Sequence, residues 1–503
     1  MLRLAPLLAA LAVLVAACGG GGGAAGADPA STVPRDALFY MEVTVSPEGE
    51  LRSDALDAAR KVLRTEDPEA KLVELLDGAE DFDYERDVKP WLGERAGLWA
   101  SARLDENEAP GIAGAIAVTD REAAEEAITA SRERDGLSAK SRSHAGVDYK
   151  VDEETAYAFV DDFMLFGDEP ELKRTIDALE GDGLVDHEPY RTAIEDLEGE
   201  RLAHFYVDTR RLLELAAESD PEQAQALKAL IPFDRLPPVA GAFLADGSRL
   251  AMDIQAELPP GGAARLGPLV GAGGSPLLEE LPADAWGAHT MPRVGETIRA
   301  TLTGLAGAIG GAAIERELGF DLERDLLSWV GDAAMFIRGD SADSIEFGVV
   351  LGVTDEAASV GAFGRIVGAL RSRHGVNATP VEVEGAEIAF QWAGPAPKPL
   401  VLARAEDKVV VTSGIAAAED ALSPDEELGD TELYERATEL LGDDADPSFL
   451  LSMPGLVKLV DASGDVGPEW QEAKPYVEAF DVIALGGSTD GGDARVRFAG
   501  GLR

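Results

Sequence analysis

Residues 82–93 read FDYERDVKPWLG, and residues 320–331 read FDLERDLLSWVG. Phe, Asp, Glu-Arg-Asp, Trp and Gly recur at one spacing, 238 residues apart. Working outward, other pairs keep the same order. Val33-Pro34-Arg35-Asp36-Ala37 matches Leu281-Pro282-Ala283-Asp284-Ala285, Ala117-Val118-Thr119-Asp120 matches Gly352-Val353-Thr354-Asp355, and Phe205–Leu215 matches Phe449–Leu459, at offsets of 248, 235 and 244. Both halves close on an apolar hairpin, Val239–Leu258 turning at Asp246-Gly247 and Val482–Leu502 turning at Asp490-Gly491-Gly492. Constant order with drifting offsets is the mark of a repeated unit. The expectation is a tandem duplication over 33–258 and 281–503. Residues 259–280 read as linker, since Pro259-Pro260-Gly261-Gly262 and Gly271–Gly274 favour turns.

Within a copy, the pattern predicts strands at Leu38–Val43, Leu98–Leu104, Gly114–Val118 and Phe205–Val207, with Ala334–Arg338 and Phe347–Val353 as counterparts in the second copy. Hairpins are expected at Tyr157–Val160/Phe163–Phe166 and at Leu400–Ala403/Val409–Thr412. Helices are expected up to Leu63 with Ser53 as N-cap, after Thr119 with Glu122 in capping-box spacing, and around Glu171–Leu179 and Tyr190–Leu197. The stripe Ala124, Ala127, Ile128, Ser131 has helical period, as do Phe363, Ile366, Val367 and Leu370. Gly136 and Gly375 are the expected stops, which makes the second helix about one turn longer. Hairpin-joined strands with scattered helices point to an antiparallel α+β sheet with helices on one face. The uncharged Ala300–Ile314 stretch is too short to span a bilayer and reads as a buried helix.

Ahead of the body, Arg3 precedes an apolar run from Leu4 to Ala17, the layout of a secretory signal peptide. The run ends Leu14-Val15-Ala16-Ala17-Cys18, and Cys18 is the only cysteine of the chain. This resembles the lipobox of bacterial lipoproteins. The resemblance implies a signal peptide over 1–17, a diacylglyceryl thioether on Cys18, and Cys18 as mature N-terminus. Two acyl chains suffice for stable anchoring. Gly19–Gly23 and Ala24-Ala25-Gly26-Ala27 then make residues 18–32 a flexible tether. The Val-Pro-x-Asp-Ala-x-x-Tyr opening at Val33–Tyr40 resembles the domain of unknown function 3352 family of bacterial extracytoplasmic proteins. In the second copy Trp286-Gly287-Ala288-His289 replaces the Leu38–Met41 strand and departs from that opening. The family resemblance implies location and architecture and brings no catalytic residue.

The 503 residues carry 44 Lys+Arg against 94 Asp+Glu, a net charge of −50, or 43 − 94 = −51 once Arg3 is removed. Such a charge excludes nucleic acid as a partner and opposes docking of the body on anionic lipid. It serves solubility in the cation atmosphere of an envelope, or a high-salt habitat. One cysteine excludes an intrachain disulfide. The five histidines, His144, His187, His204, His289 and His374, form no H-E-x-x-H and no i, i+4 pair. Ser275 lies in a Gly-Gly-Ser-Pro linker and lacks the strand–turn–helix setting of a nucleophile. Asp81, Asp83, Glu85 and Asp87, with Asp321, Glu323 and Asp325 as repeats, suit a capped turn beside a buried tryptophan plug, Trp91 or Trp329. A Ca²⁺ cage, also conceivable at Asp443-Asp444-Ala445-Asp446, and an aromatic ligand wall are the alternatives.

No cofactor or metal is expected and no catalytic constellation stands out. The sequence therefore reads as a non-enzymatic, lipid-anchored extracytoplasmic protein on the outer face of the cell membrane. Its expected role is binding or scaffolding, with an envelope protein or an apolar small molecule as partner. Carriage of an apolar ligand in a groove between the repeats, reception of a polar solute, and an enzyme of unrecognised type are the rival readings.

Overall fold

In a computed structural model of the chain, the structure describes residues 27–77, 83–104, 110–134, 138–152, 155–179, 181, 183–197, 199–219, 236–258, 273–305, 311–394, 398–464, 466–490 and 492–503. These fall into two compact units, one running to Ser219 and resuming until Glu257, the other from Leu258 to Arg503.

The first unit contains β1 (Ala37–Thr44), α1 (Gly49–Leu63), α2 (Pro68–Asp77), α3 (Tyr84–Asp87), β2 (Leu92–Leu104), β3 (Pro110–Val118), α4 (Arg121–Arg134), β4 (Lys140–His144), β5 (Val147–Val151), β6 (Ala156–Val160), β7 (Phe163–Gly167), α5 (Glu169–Ala178), α6 (Glu188–Glu195), β8 (Ala203–Val207), α7 (Thr209–Ser219), β9 (Val239–Asp246) and β10 (Arg249–Glu257). Every pairing is antiparallel, in the order β4-β5-β6-β7-β3-β2-β1-β8-β9-β10.

The second unit contains β11 (Ala285–Met291), α8 (Val294–Leu305), α9 (Gly311–Leu318), a π-helical turn (Glu323–Leu327), β12 (Val330–Arg338), β13 (Glu346–Val353), α10 (Glu356–Arg373), β14 (Thr379–Pro380), β15 (Ile388–Trp392), β16 (Leu400–Arg404), β17 (Lys408–Ser413), α11 (Ile415–Leu422), α12 (Glu432–Leu441), β18 (Asp446–Ser452), α13 (Met453–Ala462), α14 (Pro468–Val477), β19 (Phe480–Asp490) and β20 (Asp493–Leu502). Its order is β14-β15-β16-β17-β13-β12-β11-β18-β19-β20, again wholly antiparallel. Each strand of the first unit thus has its counterpart ten places later. The antiparallel α+β class expected from the sequence is the one adopted.

Helices occupy both faces of the first sheet, not one. The cause is β3, whose residues Ala113–Val118 are buried without interruption. Alternate residues of a strand point to opposite faces. Ile116, with Tyr157, Met164 and Phe166, packs against Trp91 and the apolar sides of α1 and α4. Ala115 and Ala117, with Ala158 and Leu165, pack against Leu172 and Ile176 of α5 and Tyr190 of α6. A strand apolar on both faces needs cover on both.

Several local expectations change. Ser53 lies inside α1 and its hydroxyl donates to the Glu50 carbonyl at 2.9 Å. The helix starts earlier, after the extended Glu48. Asp120, not Thr119, caps α4, accepting from the Ala123 amide at 3.1 Å, because the Thr119 amide is committed to the Trp91 carbonyl at 2.9 Å. Asp355 caps α10 likewise. α10 has 18 residues against 14 in α4, the extra turn that was expected. The Ala300–Ile314 stretch is divided between α8 and α9, with 306–310 outside the described residues. Trp286–His289 lies within β11, so the departure in sequence preserves a strand. Gly136 falls outside the described residues. The last residues of the expected tether, Pro29–Thr32, form a buried 3-10 turn.

Gly93 and Gly331 follow the two tryptophans, but they are not equally constrained. A Cβ at Gly93 would lie 2.7 Å from the Ala117 Cβ and 2.8 Å from its backbone carbonyl, whereas at Gly331 the nearest atom is the Thr354 methyl at 2.8 Å. Backbone yields less readily than a side-chain tip. Gly93→Ala is expected to destabilise its unit by about 1–3 kcal/mol and Gly331→Ala by less, as read from denaturant midpoints of the two variants.

Candidate functional site

The repeated acidic motifs build the same device in both units. Asp83 caps α3, accepting from the Arg86 amide at 3.0 Å, and Asp321 accepts from the Arg324 amide at 2.8 Å. One turn on, the Asp87 carbonyl accepts the Trp91 indole N–H at 2.6 Å and the Asp325 carbonyl accepts that of Trp329 at 2.8 Å. The Asp87 carboxylate receives Arg86 at 2.7 Å and Arg134 at 3.0 Å; the Asp325 carboxylate receives Arg324 at 2.7 Å and Arg365 at 2.5 Å. Hydrogen bonds from Arg86 and Arg324, opposed by burial and reinforced by Arg134 and Arg365, hold both carboxyls down at about 2. These oxygens serve guanidinium groups, which is the capped-turn reading. Asp81 lies outside the described residues. Among the described residues no group of three or more His, Cys, Asp or Glu is placed to hold a metal ion.

Ser275 is spent structurally: its hydroxyl donates to Asp332 at 2.6 Å and caps a 3-10 turn. Four histidines have defined neighbours. His144 meets Asp177 at 2.7 Å, His187 Nδ1 accepts from Arg35 at 3.3 Å, and His289 Nδ1 lies 3.0 Å from the Ser448 carbonyl. His204 belongs to a buried cluster that the sequence did not reveal.

That cluster arises from strand register. Tyr40 and Glu42 on β1 stand opposite Tyr206 and His204 on β8, all on one face. The Tyr40 hydroxyl donates to Glu42 at 2.7 Å and Arg95 Nε donates to its other oxygen at 2.7 Å. His204 Nε2 lies 4.0 Å from Glu42 and 3.5 Å from the Tyr190 hydroxyl. Tyr190 meets Tyr40 and Tyr206 edge-on at 5.8 and 5.3 Å. Burial raises the Glu42 carboxyl against the pull of Arg95 and Tyr40. Burial, then Arg201 and Arg95, push His204 down to about 3, so the imidazole is neutral at pH 7. The group is internally satisfied and fixes the packing of α6 on the sheet. In the second unit the matching strand positions hold Ala288, Thr290, Leu450 and Ser448.

Surface hollows also occur among the described residues, in both units. One in the first unit, about 480 Å³, lies between α4 and the β4–β5–β6 strands and includes Arg121, Ser141, Lys150, Tyr157 and Phe159. One in the second unit, about 410 Å³, is lined by Asn377, Thr379, Gln391, Trp392, Lys398 and Pro399. Cys18, the residue expected to carry lipid, lies outside the described residues. No described helix is long and apolar enough to cross a membrane, which says nothing of a β-barrel.

Residues 4–236 match the family model described as "Protein of unknown function (DUF3352)", the family that the Val33–Tyr40 opening resembles. No curated protein matches the chain. Among solved structures it is similar to "Structure of crystal form III of TP0453", at 13% identity over 46% of this chain and 80% of that chain, TM-score 0.27. "Structure of crystal form IV of TP0453" matches at 12% identity over 47% and 84%, TM-score 0.27.

A carboxyl held at about 2 in the folded unit, against about 3.9 unfolded, stabilises above pH ~4 and loses that contribution as pH falls through ~2. Asp325→Asn is therefore expected to cost about 1–2 kcal/mol at pH 7. The gap from wild type should close near pH 2 in denaturant titrations run across that range.

Proposed function

We propose that the protein is a lipoprotein of the cell envelope, held on the outer face of the membrane through Cys18, with a non-catalytic binding or scaffolding role. The observation that carries this reading is the Leu14-Val15-Ala16-Ala17-Cys18 sequence, with its single cysteine, followed by a Gly/Ala tether. A diacylglyceryl group supplies the two chains that stable anchoring requires. A body of net charge −51, with Arg3 removed, is kept off anionic lipid by such a tether. The common strand order of the two units supports their origin by duplication of one ancestral unit.

Carriage of an apolar ligand is the second reading, with one specific observation in its favour. On the second sheet Phe498, Leu485, Phe449, His289 and Met335 stand opposite one another across neighbouring strands, and Phe347 shares their face. Met335, Phe347 and Phe498 are 38%, 42% and 43% exposed. Lipid co-purifying in native mass spectra after detergent-free preparation would support carriage, and a clean apo mass would count against it.

The anchor is tested by metabolic labelling with a fatty-acid analogue. Wild type is expected to take up label and sediment with membranes, with Cys18 as its first residue. Cys18→Ala is expected to lose both label and sedimentation. An unlabelled cytosolic chain that retains Met1 would refute the proposal.

A further inference from the structure

We propose that the hollow on the first unit binds a small phosphate ester, with the phosphate held by Lys150, Arg121 and the Ser141 and Ser143 hydroxyls and the organic part lying on Phe159. The inference does not depend on the lipid anchor.

Charge distribution is the first support. Residues 140–151, which form β4 and β5, carry Lys140, Arg142, His144 and Lys150 against one acid, Asp148. This is a local reversal in a chain with 94 acidic and 44 basic residues. The corresponding stretch of the second unit, residues 379–392, carries Glu382, Glu384 and Glu387 and no Lys or Arg. Both stretches build the same strands, so the fold does not require the positive charge of the first.

Strand register places the donors together. Ser141 stands opposite Lys150, Ser143 opposite Asp148, and Lys150 opposite Tyr157. By alternation Ser141, Ser143, Lys150, Tyr157 and Phe159 share one face. The half-buried Phe159 ring forms the floor and is met edge-to-face at 6.4 Å by the buried Tyr157 ring, over which Arg132 lies. Lys150 Nζ lies 5.9 Å from the Tyr157 ring centre, and the Arg121 guanidinium lies 5.6 Å from that of Phe159. Two cations beside aromatic faces, with two exposed hydroxyls on the same side, provide charge-assisted and neutral donors for a tetrahedral oxyanion. The partly exposed Phe159 ring gives an apolar or ring-shaped body a surface to cover.

The same lining limits the charge of the ligand. Glu125, which accepts from Arg121 at 2.8 Å, and Asp148 also line the hollow, as does Arg142, which is turned to Glu169 at 2.6 Å. Arg142 is neutralised by Glu169, so Arg121 and Lys150 face Glu125 and Asp148 and the lining has no net charge, which favours a singly charged phosphate diester over a more highly charged ester. A polyanion would meet the repulsion of the whole acidic body. The diester is either a soluble compound or the headgroup of a membrane lipid.

The test uses the full chain with Cys18→Ala, so that no acyl group carries it to membranes. Glycerophosphoglycerol in solution is one probe, and phosphatidylglycerol vesicles are the other, with phosphatidylcholine vesicles as reference. Saturable binding to glycerophosphoglycerol indicates a soluble ligand or a headgroup in reach; binding to phosphatidylglycerol vesicles alone indicates the headgroup in its membrane. In either case Lys150→Gln with Arg121→Gln should weaken binding about tenfold or more, Lys150→Arg should retain it, and added salt should weaken it. Lys474→Gln, on α14 and paired with Asp461, should leave it unchanged. Unchanged far-UV circular dichroism verifies that the variants are folded. Absence of saturable binding to both probes at low salt overturns the proposal, as does equal loss of binding in Lys474→Gln.

Discussion

One aspartate in each unit ties helix, sheet and tryptophan together. Asp87 and Asp325 accept an indole N–H on their carbonyl and two guanidinium groups on their carboxylate. The tryptophan so held passes the constraint on. Its own carbonyl accepts the amide of Thr119 or Thr354, the residue that follows β3 or β13. The start of β2 or β12 is thereby fixed against the end of its neighbour. The second arginine of each pair, Arg134 or Arg365, comes from the helix that follows that neighbouring strand. Two consecutive strands and their crossing helix are thus set by one short segment, and Trp91 and Trp329 each sit inside the apolar cluster that grows from it.

Around this shared frame the polar interiors differ. Asp36 and Asp284 stand just before the first strand of their units. Asp36 is bound by Arg174 from α5 at 2.6 Å, whereas Asp284 is bound at 3.2 Å by Arg338 from β12, which also reaches Glu346 and Asp420 at 2.7 and 2.6 Å. The strand position of Arg338 is held by Ser101 in the first unit. The Tyr40–Glu42–Arg95–His204 group belongs to the first unit, and small or apolar residues take its strand positions in the second. Buried ion pairs contribute little net stability because desolvation offsets attraction, though removing one partner is costly. Such substitutions therefore change what each unit presents without changing its strand order.

The parts of this design legible in the sequence were the local ones. The repeated FDxERD and Trp-x-Gly signatures located both turns, and turn residues at Asp161-Asp162 and Asp246-Gly247 located hairpins, because tight turns demand particular residue types. The β4–β5 hairpin leaves no mark in the sequence, since Lys140, Ser141, Arg142 and Ser143 are exposed and carry no apolar alternation. Its neighbours set its place. Glu42 and His204 are 162 residues apart, and only the β1–β8 register brings them together. Tyr40-x-Glu42 and His204-x-Tyr206 each carry the parity of a shared face, but not the identity of the partner strand. Cover on both faces of the sheet was readable in principle from β3, where Ile112–Val118 is apolar at every position.

The central claim is that Trp91 and Trp329 are held by the same carbonyl in two equivalent turns. Exchange of their indole N–H protons with solvent, followed residue by residue by NMR, tests it most directly. Both protons are expected to exchange about a thousandfold or more slowly than a free indole, at rates set by opening of the whole unit. Exchange of either at the rate of a free indole would contradict the account.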